Sequence, residues 1–240
     1  MNTFIFDLDG TLLPMNQEEF LDTYFKLLAM KSAPYGLEAQ GLIKAVWVGT
    51  KAMIDNDGSM TNEQRFWDVF SGVLGEKVRK MAPVFEEFYQ NEFNKAKVAT
   101  KTNPIAKDCI DLLKSKGYRL ALATNPVFPR VATLQRIQWA GLNQEDFEWI
   151  TTYENSSYCK PNLEYYKAIL REIHREPEEC IMIGNDIKED MCVKELGMET
   201  FLLKDCLINN VGEDITVYRQ GDFNSLLNYI KELPDLTEVN

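Results

Sequence analysis

At 240 residues with 45% hydrophobic side chains, the chain is large enough for one good core and an appended lobe. Its formal net charge of −11 excludes a general nucleic-acid binder, whose affinity comes from counterions released around clustered Lys and Arg, and no apolar run approaches the length of a membrane span. Five cysteines, Cys109, Cys159, Cys180, Cys192 and Cys206, are odd in number and form no Cys-x-x-Cys pair, so they read as reduced thiols of a cytoplasmic protein.

The chain opens on the apolar run Phe4-Ile5-Phe6, read as a buried strand, which ends in Asp7, Leu8 and Asp9 before a turn glycine, Gly10. Acidic residues break the run and no basic region precedes it, so it does not read as a secretion signal. Residues two apart in a strand point the same way, so Asp7 and Asp9 leave the sheet together. Two carboxylates converging there repel unless a cation sits between them or one holds a proton.

From Asn16 to Asn94 the apolar spacing is helical, as in Phe20, Tyr24, Leu27 and Leu28 or Phe66, Val69, Phe70 and Val73, with Asn56-Asp57-Gly58 as an internal turn. A further helical stretch, carrying Val84, Phe85, Phe88 and Phe93, follows Pro83. The aromatic residues Trp47, Trp67 and Phe70 are expected to form this segment's own core.

Beyond Asn103 and Pro104 strands and helices alternate. A helix over 105–116 stops at Gly117, and a strand over 118–123 runs into Thr124-Asn125-Pro126. A helix over 130–140 stops at Gly141, a strand covers 147–152, and a helix opened by Pro161 and Asn162 continues to Ile173. His174, the one histidine, reads as a surface residue near that helix end and excludes a histidine-based metal site or triad. A strand over 180–184, a helix over 187–196 capped by Gly197, and a strand over 200–203 follow, with an edge strand over 215–218 and a closing helix over 223–230. The expected architecture is α/β: a doubly wound, mostly parallel, Rossmann-like sheet covered on both faces. Residues 1–15 and 96–240 form its core, and residues 16–95 form an all-helical cap inserted after the first strand.

Ligands of such sheets bind beyond the carboxyl ends of the strands. Those ends carry Asp7 and Asp9, Thr124 and Asn125, the loop holding Lys160 and Pro161, and Asn185 and Asp186 followed by Asp190. Asp7, Asp9 and Asp186 are hard oxygen ligands suited to Mg²⁺. The Thr124 hydroxyl, the Asn125 backbone N–H at the mouth of the following helix, and the Lys160 charge would neutralise phosphate oxygens. A carboxylate facing such a phosphate can attack phosphorus, while a second carboxylate handles the proton of the leaving alcohol and of the attacking water.

In these features the chain resembles the haloacid dehalogenase-like (HAD) superfamily of phosphohydrolases. Four ordered motifs carry the likeness: Asp7-Leu8-Asp9-Gly10-Thr11, Thr124-Asn125, Lys160-Pro161, and Gly184-Asn185-Asp186 with Asp190. The helical insertion is similar to the family's type 1 cap. The resemblance implies Asp7 as nucleophile, Asp9 as acid/base, and Thr124 and Lys160 as stabilisers of phosphate and intermediate. It also implies Mg²⁺ held by Asp7, the Asp9 backbone carbonyl and Asp186, with Asp190 in support. Many relatives have glycine directly before the fourth-motif aspartate; here Asn185 intervenes and reads as a loop-fixing amide.

Within that family a second aspartate at position 9 favours ester hydrolysis over halide displacement, which needs no protonated leaving group. The expected protein is therefore a Mg²⁺-dependent phosphatase of a small phosphorylated metabolite, a monomer or small homo-oligomer. A phosphomutase on the same core, or a non-catalytic phosphometabolite-binding protein, are the alternatives. The two crossings between insertion and core, Leu13 to Gln17 and Val98 to Asn103, would permit hinge closure, with selectivity residing on the insertion.

Overall fold

The structure, a computed structural model, describes residues 1–237. Strand β1 (Thr3–Phe6) is its central strand, and none of its four side chains reaches solvent. Its neighbours are β2 (Arg119–Leu122) and β4 (Cys180–Gly184), both parallel, with Phe4 opposite Leu120 on one side and Ile181 on the other. With β3 (Trp149–Ile150), β5 (Glu199–Leu203) and β6 (Arg219–Gly221), the sheet runs β3-β2-β1-β4-β5-β6, and every pairing is parallel.

The winding reverses between β1 and β4, which leaves a crevice beyond their carboxyl ends. Alternation along β1 accounts for the two covered faces. Phe4 and Phe6 point into a large apolar cluster shared with α5 (Pro104–Ser115), α6 (Arg130–Trp139) and α8 (Phe223–Glu232). Ile5 points the other way, into a cluster shared with α7 (Leu163–Glu172) and the 3₁₀ turns over Met191–Leu196.

Between β1 and β2 the chain forms α1 (Gln17–Ser32), α2 (Ala39–Ile54), α3 (Asn62–Leu74), α4 (Ala82–Gln90) and a 3₁₀ stretch over Glu92–Ala99. Helix α1 starts where the Asn16 side chain accepts the Glu19 N–H at 3.1 Å, and α3 where Thr61 and Gln64 form a reciprocal capping box. The two crossings into the insertion lie side by side, since Asn16 N–H donates to the Ala99 carbonyl and Lys101 N–H to the Pro14 carbonyl, each at 2.9 Å. The insertion is also bonded to the sheet's loops. The fully buried Asn62 amide donates to the carbonyls of Pro126 (3.2 Å) and Tyr158 (3.3 Å), while Asn62 N–H donates to the Ser156 carbonyl at 2.8 Å.

The doubly wound sheet and its helical insertion are as the sequence led us to expect, but several elements differ. The expected helix over 187–196 is a turn followed by 3₁₀ geometry from Met191, because the Asp186 side chain takes the N–H groups of Lys188 and Glu189. The expected edge strand over 215–218 is a 3₁₀ turn, Ile215–Val217, wound by the Asp214 carboxylate on Thr216 N–H at 2.9 Å; the strand comes next, at Arg219. The strand expected over 147–152 pairs with β2 only at Trp149 and Ile150; it is an edge strand, and past Thr151 the chain turns away, where Asn155 Oδ1 accepts the Thr152 N–H at 2.8 Å. Phe70 is core as expected and Trp67 partly buried, but Trp47 is 49% exposed and is not core.

The Phe93 ring, fully buried, stacks on Trp139 of α6 at 5.2 Å and meets Phe20 of α1 edge-on at 6.0 Å. One apolar cluster thus runs from the insertion into the sheet layer. Replacing Phe93 by Ala should cost about 3–5 kcal/mol. Urea unfolding followed by fluorescence should show one transition moved to lower denaturant; a separate early transition of the insertion would contradict the shared core.

Candidate active site

The site is built where four chain segments meet at the carboxyl ends of β1, β2 and β4. Gly10 turns the chain after β1 with φ +83°, and a side-chain carbon there would come within 2.5 Å of the Asn185 amide. The same close approach lets the Thr11 hydroxyl donate to Asn185 Oδ1 at 2.9 Å, while Asn185 Nδ2 donates to the Cys206 carbonyl at 2.6 Å. The Asn185 amide therefore ties loops together, as expected of it.

Lys160 lies just before α7, with its side chain 1% exposed. Its Nζ donates to Asp7 Oδ1 at 2.8 Å and to Asp190 Oδ1 at 2.7 Å. Burial opposes the ammonium charge, yet Asp190 and Asp7 outweigh it and carry the Lys160 pKa well above the usual lysine value. Asp190 uses its other oxygen to accept the N–H groups of Asn185 (3.1 Å) and Asp186 (3.0 Å), so it fixes the loop that presents Asp186. Asp190 thus touches both the lysine and the loop.

Asp9 faces a partner that sequence reasoning did not find. Arg136 of α6, itself 1% exposed, donates from Nη1 to Asp9 Oδ2. Its Nη2 donates to the Thr133 hydroxyl at 3.2 Å and its guanidinium lies 4.6 Å over the Phe128 ring, so Arg136 is held on three sides. Asp9 Oδ1 is buried without a partner among the described residues. Burial pushes the Asp9 carboxyl above the usual range, with Arg136 pulling the other way and Asp7 adding to the rise. An arginine on an amphipathic helix carries no local mark of such a contact.

The Thr124 carbonyl is fixed by the hydroxyls of Thr151 (2.7 Å) and Tyr165 (2.8 Å), which hold the end of β2 in place. The Asn125 N–H was expected at the mouth of the next helix, but α6 begins only at Arg130. Prolines at 126 and 129 keep the intervening loop open, so any anion attraction there comes from the loop amide alone. Glu189, also missed, accepts from Asn125 Nδ2 at 3.2 Å, and burial lifts its pKa to about 7 against Lys160. Asp7, Asp9, Thr124, Asn125, Asp186 and Glu189 all border one cavity of about 280 Å³.

The donor set fits a small hard dication. Lys160 occupies one Asp7 oxygen, and two loop amides occupy Asp186 Oδ1, which leaves Oδ2 of each carboxylate for a cation. Two carboxylates, a backbone carbonyl, waters and a phosphate oxygen are what Mg²⁺ takes. Among the described residues no group of three acidic, histidine or cysteine side chains could hold a metal ion by itself.

A family model described as haloacid dehalogenase-like hydrolase matches residues 1–191. A pyrophosphatase, PpaX, from Halalkalibacterium halodurans is 24% identical over 242 residues, covering 100% of this chain and 96% of its own. The crystal structure of a HAD phosphatase from Thermococcus onnurineus superposes with a TM-score of 0.60 at 16% identity, over 98% of this chain and 100% of that one. A HAD-hydrolase from Bacillus subtilis, YfnB, bound to magnesium, superposes with a TM-score of 0.56 at 20% identity, over 95% and 98% of the two chains. The chain belongs to the haloacid dehalogenase-like hydrolases, and the expected phosphohydrolase superfamily is borne out.

Replacing Lys160 by Met should leave Asp7 and Asp190 as facing buried carboxylates and cost about 3–5 kcal/mol at neutral pH. The loss should shrink as the pH falls, because protonating either carboxylate removes the repulsion. Urea titrations of the variant across pH check this; a loss that does not vary with pH would contradict the charge triad.

Proposed function

We propose that the protein is a Mg²⁺-dependent phosphatase that hydrolyses a small phosphorylated metabolite in the cytoplasm through an aspartyl-phosphate on Asp7. The observation that carries the reading is the Lys160 ammonium, 2.8 Å from Asp7 at the end of the central strand. It lowers the charge around Asp7, so that a carboxylate can approach a phosphate dianion. The five unpaired cysteines support a reducing compartment.

In this mechanism the Asp7 carboxylate forms a bond to phosphorus as the ester oxygen departs, and that oxygen takes its proton from Asp9. Arg136 fixes the Asp9 carboxyl through Oδ2, so the group that carries the proton is held at the site. Asp9 then takes a proton from water, whose oxygen attacks phosphorus and returns Asp7 and inorganic phosphate. Thr124 and the Asn125 N–H bind the phosphoryl oxygens, and Lys160 neutralises charge on Asp7 and the phosphoryl group. Asp7, the Asp9 carbonyl and Asp186 would hold Mg²⁺, supported by Asp190; when bound it supplies charge neutralisation at the phosphate.

Residues 16–95 act in this reading as the cap over a core of residues 1–15 and 96–240. The Asn62 bonds to the Pro126 and Tyr158 carbonyls set the cap against the loops carrying Thr124 and Lys160. Phosphate release from an aryl phosphate should require Mg²⁺, stop with EDTA, and stop in Asp7→Asn under conditions where circular dichroism shows that variant folded. Full turnover in either control would reject the covalent mechanism.

A further inference from the structure

The cleft beside Asp7 is polar, but the lining changes one turn further along α1. Gln17 borders the cleft, whereas Leu21, Tyr24 and Phe25 border a second cavity of about 130 Å³. Gln17 and Leu21 are four residues, roughly 6 Å, apart along the helix at the α-helical rise. The core makes the same passage: Val127 and Phe128 border this cavity two and three residues after Asn125, and Val127 N–H donates to the Asn125 carbonyl at 2.9 Å.

No side chain lining this cavity is charged, in a chain where 26% of residues are. The Tyr24 and Tyr89 hydroxyls are 2.9 Å apart and satisfy each other. Thr50 and Tyr153 bring the remaining hydroxyls, and the half-exposed Trp47 leans on Phe25 at 5.4 Å. Phe128 links this wall to the chemistry, because its ring lies under the Arg136 guanidinium that holds Asp9.

We propose that this cavity seats the leaving group, and that the substrate is a monoester whose alcohol carries an uncharged, apolar, ring-sized group a few bonds from the ester oxygen. The inference rests on the phosphatase reading and names its substrate class. An apolar cavity of about 150 Å³ holds a benzene-sized guest, so the volume suits one ring. A carboxylate, or the second phosphate of pyrophosphate, would be desolvated there with no cation to meet it. The charge-free wall therefore selects against small anionic leaving groups.

The test compares 2-phenylethyl phosphate with glycerol 1-phosphate, both esters of primary alcohols, and with phosphoglycolate and pyrophosphate, all with Mg²⁺. The kcat/KM for the phenylethyl ester should be higher by about tenfold or more. Trp47→Ala should shrink that advantage, and Thr50→Arg should move preference toward phosphoglycolate. In parallel, calorimetry should show 2-phenylethylphosphonate binding more tightly than carboxymethylphosphonate. Turnover without a phenylethyl preference, or equal binding of the two phosphonates, overturns the cavity assignment alone. A phosphonate preference without turnover of any ester overturns the phosphatase reading and leaves the cavity's selectivity standing.

Discussion

One buried ammonium organises the catalytic end of the sheet. Lys160 reaches Asp7 after β1 and Asp190 in the loop after β4, and Asp190 in turn holds the backbone of Asn185 and Asp186. A single positive charge thus fixes three chain segments that are remote in sequence. Such a charge is tolerated without water only because both carboxylates face it at hydrogen-bond distance. Gly184 belongs to the same arrangement: a side-chain carbon there would collide with the Asp190 carboxyl.

The charges around this point explain what the site can accept. Among the described residues Lys160 and Arg136 are the two basic groups paired with its aspartates, against Asp7, Asp9, Asp186 and Asp190. The surplus of carboxylate suits a divalent cation, and the cation together with Lys160 suits a phosphate. A strongly acidic chain can therefore take an anionic substrate, because the compensating charge is concentrated within one cleft rather than spread over the surface.

Much of this was legible in the sequence, because strand ends and their polar residues are local features. The run Phe4-Ile5-Phe6 ahead of Asp7, and Cys180 to Gly184 ahead of Asp186, mark buried parallel strands, and the winding order then brings their ends together. The contact between Arg136 and Asp9 spans 127 positions, and that between Asn62 and the Tyr158 carbonyl spans 96. No period in the chain encodes them. Local side-chain bonds decided the misread elements: Asp186 and Asp214 captured nearby N–H groups and wound turns where apolar spacing suggested a helix and a strand. Trp47 was misplaced for the opposite reason, since its helix spacing puts it near the apolar stripe while the partner surface stops short of it.

The insertion and the sheet share an aromatic cluster, paired crossings and the Asn62 bonds, so the insertion is held to the sheet by packing as well as by the two crossings. The central claim remains chemical: the Asp7 carboxylate carries the phosphoryl group between substrate and water. Rapid acid quench during turnover, followed by mass spectrometry of the N-terminal peptide, tests it most directly. The account predicts a phosphoryl adduct on Asp7 that forms before phosphate appears and decays as phosphate is released. Product formation at full rate with that peptide unmodified at every time point would contradict it.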